Sequence, residues 1–253
     1  MDYHTLGALI ALAFVASYIQ SVAGFAMGMI MMALAGGLEW VSIGLLAATI
    51  SLLSLVNVGI ALRHHWRLIE RRLIMPLAMG QLPAIVGGVW LLYLLSDSAV
   101  SVLKLLLGVF IALGSLSLAV RPRQLPRVSS AGACFAVGTL GGLVGGLFSA
   151  SGPVLGWFSY RQPLSFETIR ATLLACFAMT TATRTVVVGV RGELTEEVMV
   201  LFAILLPTVA AGSWLGARFK PPMSEELLKR GAFGLLFVLG LWICADALVR
   251  IWS

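Results

Sequence analysis

The chain has 253 residues, of which 60% are hydrophobic and 11% are charged, and its formal net charge is +6 at pH 7. Its apolar runs reach the roughly 20 residues that a helix needs to cross a bilayer core, which indicates a multi-pass membrane protein. The basic residues lie in short loops between these runs, as at cytoplasmic membrane edges, and this distribution argues against nucleic-acid binding.

The pattern predicts an all-α polytopic protein in which each half has a long apolar segment followed by three spans. In the first half, 1–120, the long segment is 5–37 and the spans are 42–62, 73–95 and 100–120. A hinge at 121–127 contains two prolines and three arginines, which exclude a buried helix. In the second half, 128–253, the long segment is 130–160 and the spans are 169–190, 198–217 and 231–249.

The two halves share a motif at an offset of 124 residues. Leu82-Pro83, Gly88 and Trp90-Leu91 recur as Leu206-Pro207, Gly212 and Trp214-Leu215. Tryptophan and proline are scarce in this chain, so we interpret the matches as a duplication. In an apolar protein, duplicated bundles that enclose a central site are typical of transporters.

Both long segments are interrupted, the first at 20–24 and the second between Gly145 and Pro153. Each could be one broken helix that crosses the membrane, or a re-entrant hairpin of two short half-helices. Crossing segments would place the basic residues of the two halves on opposite sides, against the positive-inside rule. Hairpins place thirteen of them on one side, namely Arg63, Arg67, Arg71, Arg72, Arg121, Arg123, Arg127, Arg161, Arg170, Arg218, Lys220, Lys229 and Arg230.

With hairpins, the opposite side holds only Lys104, Arg191 and Arg250, and Arg184 lies within a span. We therefore predict hairpins. Three crossings per half then make the second repeat inverted relative to the first. The hinge is expected to be cytoplasmic and both termini to lie outside the cytoplasm.

The hairpin tips are the predicted anion site. The stretch 149–153 predicts a helix start, because serine is a favoured N-cap and proline is tolerated in the first turn. The stretch 21–24 offers the same arrangement, and two opposed helix N-termini would attract an anion. Alternatively, the glycines serve close helix packing. The candidate tip residues are Ser21, Gly24, Phe25, Gly28, Ser149, Ser151 and Gly152.

Three further candidates lie in the spans. Arg184, beside Thr181, could bind the substrate or could reach outward to the membrane surface. Asn57 could contact the substrate or a neighbouring helix. No catalytic residue, metal site or cofactor is predicted. No Asp, Glu or His falls at mid-membrane in a predicted span, which argues against a side-chain proton relay.

Two glycine-rich stretches, AGFAMG at 23–28 and GGLFSASGPVL at 145–155, resemble the paired motifs of the TauE/SafE family of sulfite exporters. The first stretch lacks the proline that usually follows it in the family and has a methionine-rich run instead. The resemblance covers nearly the whole chain and implies export of sulfite or a small organosulfonate across a bacterial inner membrane, with both termini then periplasmic. Uptake of another small anion and a non-transporting assembly role remain alternatives, and a membrane enzyme is disfavoured. The oligomeric state is open, and a homodimer is one of the alternatives.

Overall fold

The computed structural model describes residues 3–23, 26–63, 65–119, 123–219 and 225–252. Every regular element within these ranges is a helix, which confirms the predicted all-helical class. Seven of the helices, α1, α3, α4, α5, α6, α8 and α9 as bounded below, are long and apolar enough to cross a membrane. The protein is therefore a multi-pass membrane protein, since backbone polar groups in lipid must be paired within helices.

The elements of the first half are α1 (Tyr3–Ala23), α2 (Met27–Met31, continued by a π-helical turn, Met32–Gly36), α3 (Ile43–Leu62), a 3-10 turn (Trp66–Leu68), α4 (Arg71–Ser98) and α5 (Val100–Ala119). The elements of the second half are α6 (Ala131–Phe148), α7 (Gly152–Tyr160), α8 (Phe166–Val190), α9 (Glu196–Arg218) and α10 (Glu225–Trp252). One core of buried leucine, isoleucine, methionine and phenylalanine side chains runs through both halves.

Helix starts in the two halves match at the offset seen in the sequence. Adding 124 to the first residues of α2, α3 and α4 gives 151, 167 and 195, and α7, α8 and α9 begin at 152, 166 and 196. Each pair agrees within one residue. The two halves therefore have the same order of helices and the same helix spacing.

The two predicted half-helices of each long segment are unequal in length. The arms before the breaks, α1 and α6, have 21 and 18 residues, or roughly 32 and 27 Å, which is long enough for a span. The expectation of two short half-helices is therefore wrong for the first half-helix of each long segment. Ser21, which was expected near a helix start, lies inside α1, and Gly145 and Gly146 lie inside α6.

Close packing explains why the glycines of α6 remain helical. A Cβ atom at the following positions would lie within 2.4 Å of a carbonyl oxygen of α4: Gly138 against Leu77, Gly142 against Gln81 and Gly146 against Ile85. Residue numbers on both helices rise together, so α4 and α6 run parallel. Backbone contact of this kind compensates the roughly 1 kcal/mol by which glycine disfavours a helix.

The corresponding helices α5 and α10 pack against each other in opposite directions. On α5 and α10, Gly108 contacts Cys244 while Gly240 contacts Ala112, so numbers rise on one helix as they fall on the other. In the second half, α7 returns towards the beginning of α6, because the backbone N–H of Ser129 donates to Oε1 of Gln162 over 2.9 Å.

Candidate functional site

The breaks of the two long segments meet inside the protein. Gly28, at the start of α2, lies so close to the second break that a Cβ atom there would be 2.3 Å from the carbonyl oxygen of Ser149. Residues from both breaks enclose a cavity of about 20 Å³, hereafter the tip cavity, together with side chains of α3 and α8. This volume holds about one water molecule, so the tip cavity is too small for a polyatomic anion.

The second break has the features of an anion-binding helix start. Ser149 ends α6 in the left-handed conformation (φ 55°, ψ 27°), and α7 begins at Gly152 with a proline in its first turn. The first N–H groups of α7 have no partner within the helix. Ser151 lines the tip cavity and is 2% exposed, and its hydroxyl has no hydrogen-bond partner among the described residues.

The first break is held by neutral side chains instead. The backbone N–H of Met27 donates to Oε1 of Gln20 over 3.0 Å, and Nε2 of Gln20 donates to Oδ1 of Asn57 over 2.9 Å. Nδ2 of Asn57 donates to Oγ of Ser213 over 2.6 Å and also to the carbonyl oxygen of Ser17. The first N–H of α2 is therefore already capped by a side chain, and the two breaks are not equivalent.

Arg184 is fully buried and does not reach the membrane surface. Its Nε donates to the carbonyl oxygen of Gly146 over 3.0 Å, and its Nη1 donates to the carbonyl oxygen of Ala47 over 3.0 Å and to Oγ of Ser51 over 3.1 Å. Its Nη2 is buried without a hydrogen-bond partner among the described residues. A buried guanidinium is costly to desolvate, so an unused donor on it is a candidate for a ligand contact.

One hydroxyl links this arginine to the tip cavity. Oγ of Ser51 lies 3.0 Å from Oγ of Ser149, so the guanidinium, Ser51 and the second break form one buried hydrogen-bond chain. The positive charge of Arg184 therefore lies two hydrogen bonds from a residue of the cavity wall. Low polarity around such a chain strengthens its electrostatic effect on an anion in the cavity.

The structure brings most of the candidate residues together. Gly28, Ser149, Ser151, Gly152 and Thr181 line the tip cavity. Asn57, Ser21 and Arg184 lie in the layer of side chains around it. Gly24 and Phe25 fall outside the described residues. Sequence reasoning missed Gln20 and Thr180 as cavity-lining residues, although a glutamine within an apolar helix is a usable signal.

A family model described as Sulfite exporter TauE/SafE matches residues 9–243 of this chain. This chain belongs to the TauE/SafE family. It is also 40% identical over 224 residues to the "Probable sulfite/organosulfonate exporter TauE" of Cupriavidus necator, and the match covers 88% of each chain. No solved structure matches the chain.

Enlarging Gly28 is expected to impair transport. In a Gly28→Ala variant the new methyl group would meet the Ser149 carbonyl at 2.3 Å, so the two breaks must move apart. Overpacking of this kind costs about 1–3 kcal/mol of stability, so we expect Gly28→Ala to unfold at a lower temperature and to show a lower initial rate of anion flux in vesicles. Gly59→Ala is the matched control, because nothing lies within 4 Å of a Cβ atom there. Equal rates for both variants would contradict tight contact between the breaks.

Proposed function

We propose that this protein exports sulfite or a small organosulfonate from the cytoplasm across the bacterial inner membrane. Family membership and the printed name of the relative support an exporter of sulfur-containing anions. The observation that carries the proposal for this chain is the buried Arg184, whose Nη2 has no partner among the described residues, next to the meeting point of the two breaks.

The anion would bind at the second break. The N–H groups at the start of α7, the unpartnered hydroxyl of Ser151 and the charge of Arg184 all favour an anion there. At the first break the backbone N–H of Met27 already donates a hydrogen bond to the side chain of Gln20. An anion site shared equally by two helix N-termini therefore has less support. Because the tip cavity has a volume of only about 20 Å³, it must widen when the anion enters.

The proposed architecture is a pair of inverted repeats, each with a re-entrant segment. It is supported by the matching helix starts, by the antiparallel packing of α5 on α10, and by the return of α7 towards the start of α6. The unequal arms mean that each re-entrant segment has one long and one short helix. Broken backbone at membrane depth is tolerated where protein surrounds it, as at these tips.

Labelling can test the topology. The face with thirteen basic residues is proposed to be cytoplasmic, so single cysteines at Arg67 and Arg127 should resist an impermeant thiol reagent in intact cells. A cysteine at Glu196, the exposed first residue of α9 on the same side as Arg191, should react. The native cysteines are removed first, and each variant is labelled after lysis as a control. Reaction of Arg67→Cys in intact cells would refute the topology.

The function itself is tested with purified protein. Sulfite, sulfate, thiosulfate, sulfoacetate and taurine are compared as ligands by calorimetry, and the binders are then used in exchange assays in reconstituted vesicles. We expect sulfite or an organosulfonate to bind and to exchange across the vesicle membrane. Absence of binding by all five anions, in protein that remains folded, would exclude the proposed substrate class.

A further inference from the structure

A second, much larger cavity lies at the end of the bundle where α3 begins and α8 ends. Its volume is about 640 Å³, and its wall includes Tyr93, the cations of Lys104 and Arg191, and the carboxylates of Glu39, Glu193 and Glu197, of which Glu39 is paired with Lys104. Lys104 and Arg191 are two of the three cations on the proposed periplasmic face. We call this cavity the vestibule.

A thin group of buried apolar side chains, separate from the main core, lies beside the vestibule. We call it the apolar layer, and its members are Ala48, Ile85, Val89, Val188 and Val198. All five are at most 2% exposed. The ring of Tyr93 packs against this layer and also lines the vestibule.

The other side of the apolar layer borders the buried arginine. Ala48 follows Ala47, whose carbonyl oxygen accepts a hydrogen bond from Arg184, and Val188 lies one helical turn after Arg184 on α8. The apolar layer therefore adjoins the vestibule through Val198 on one side and the helical turns that hold Arg184 on the other.

The ring of Tyr93 is also held from the vestibule side. The guanidinium carbon of Arg191 lies 4.7 Å from the ring centroid, in a cation–π contact. A bulky aromatic side chain that touches the vestibule, the apolar layer and a cation at the mouth is suited to block passage until the helices move.

We propose that Tyr93 and the apolar layer form a gate between the vestibule and the anion site, so that the vestibule is the extracytoplasmic half of the transport path. The inference rests on the proposed transport function. Beyond that function, it identifies a specific barrier in the transport path and assigns Tyr93 as the residue that holds this barrier in place. The anion leaves the region of Arg184 when the layer parts and then enters a cavity large enough for a hydrated sulfonate.

Cysteine accessibility tests this gate in purified, reconstituted protein whose native cysteines have been removed. Val188→Cys, which conserves size approximately, places a thiol in the apolar layer, and Val58→Cys places one at a similarly buried position of the main core on α3. The probe is a methanethiosulfonate that carries an ethylsulfonate group, so it is both impermeant and anionic. Ala48→Cys is the second reporter if Val188→Cys does not fold.

Tyr93→Ala should speed labelling of Val188→Cys roughly tenfold or more, because the aromatic barrier is gone, whereas Tyr93→Phe should leave the rate slow. Labelling of Val58→Cys should not change in either background. An unchanged rate at Val188→Cys in the Tyr93→Ala background would overturn the gate, and so would an equal acceleration at Val58→Cys, which indicates general loosening. Labelling needs no substrate, so failure of the transport proposal is detected separately, as absence of sulfite or sulfonate flux in the wild-type protein.

Discussion

An Arg184→Gln variant is expected to lose at least about tenfold in affinity for the exported anion, and about a hundredfold if the anion contacts the guanidinium directly. A hydrogen bond to a charged group contributes about 1.5–3 kcal/mol, and every 1.4 kcal/mol is a factor of ten. The variant also removes the bonds to the carbonyl oxygens of Gly146 and Ala47, which position the second break. Calorimetry on purified protein measures the effect.

Two further variants separate the charge from the geometry. Arg184→Lys keeps a positive charge but cannot bond Gly146, Ala47 and Ser51 from one planar group, so we expect intermediate affinity. Arg218→Gln removes a cation at the exposed end of α9 and should bind the anion as the wild type does. Wild-type affinity in a folded Arg184→Gln protein would show that this arginine connects α3 and α6 and does not contribute to anion binding.

The helical class could be predicted from composition because lipid allows few alternatives. Long apolar runs with few charges must pair their own backbone groups, and helices do so within one segment. The start of α7 was also accessible from sequence, because Ser151, Gly152 and Pro153 satisfy local rules for a helix N-terminus. Such rules depend only on neighbours along the chain.

The first break shows where local rules were insufficient. Gln20 and Ser21 suggested an interruption because polar groups are costly in an apolar helix. Gln20 is instead satisfied by Asn57, 37 residues away, and so α1 continues to Ala23. A hydrogen-bond partner that is so distant along the chain cannot be identified from the residues next to Gln20.

The glycines of α6 illustrate the same limit in packing. The second break was predicted between Gly145-Gly146 and Ser151, and it lies there, at 149–151; the two glycines themselves are helical, because Gly146 lies against Ile85 and Gly145 lies against Thr180. Glycine permits a break and a close helix contact equally well. Which of the two occurs depends on the neighbouring helix, which a single sequence does not reveal.

Ser51 makes the corresponding point for the site. Its hydroxyl connects Arg184 with Ser149, which is 98 residues away. In the sequence Ser51 was one of several polar residues of α3, and nothing distinguished it from Ser54. The tertiary structure assigns it to the hydrogen-bond chain that reaches the tip cavity.

Anion flux is expected to follow the membrane potential without obligatory proton exchange. The polar side chains that line the tip cavity in the described part of the chain carry amide or hydroxyl groups, which do not exchange protons near neutral pH. An anion that leaves a negative-inside cell gains about 2.3 kcal/mol per charge per 100 mV, so export needs no coupled ion. At that potential the driving force corresponds to a concentration ratio of about fifty.

Reconstituted vesicles and a fully ionised sulfonate can separate voltage from pH. Bisulfite would not serve, because it can carry a proton itself and would imitate coupling. With sulfoacetate or a similar sulfonate, flux should increase with an imposed potassium-diffusion potential and should ignore a pH gradient at constant voltage. Protein-free vesicles provide the control for leakage. Uphill movement of the sulfonate driven by a pH gradient, with the potential clamped at zero, would show that a titratable group outside the tip cavity takes part in transport.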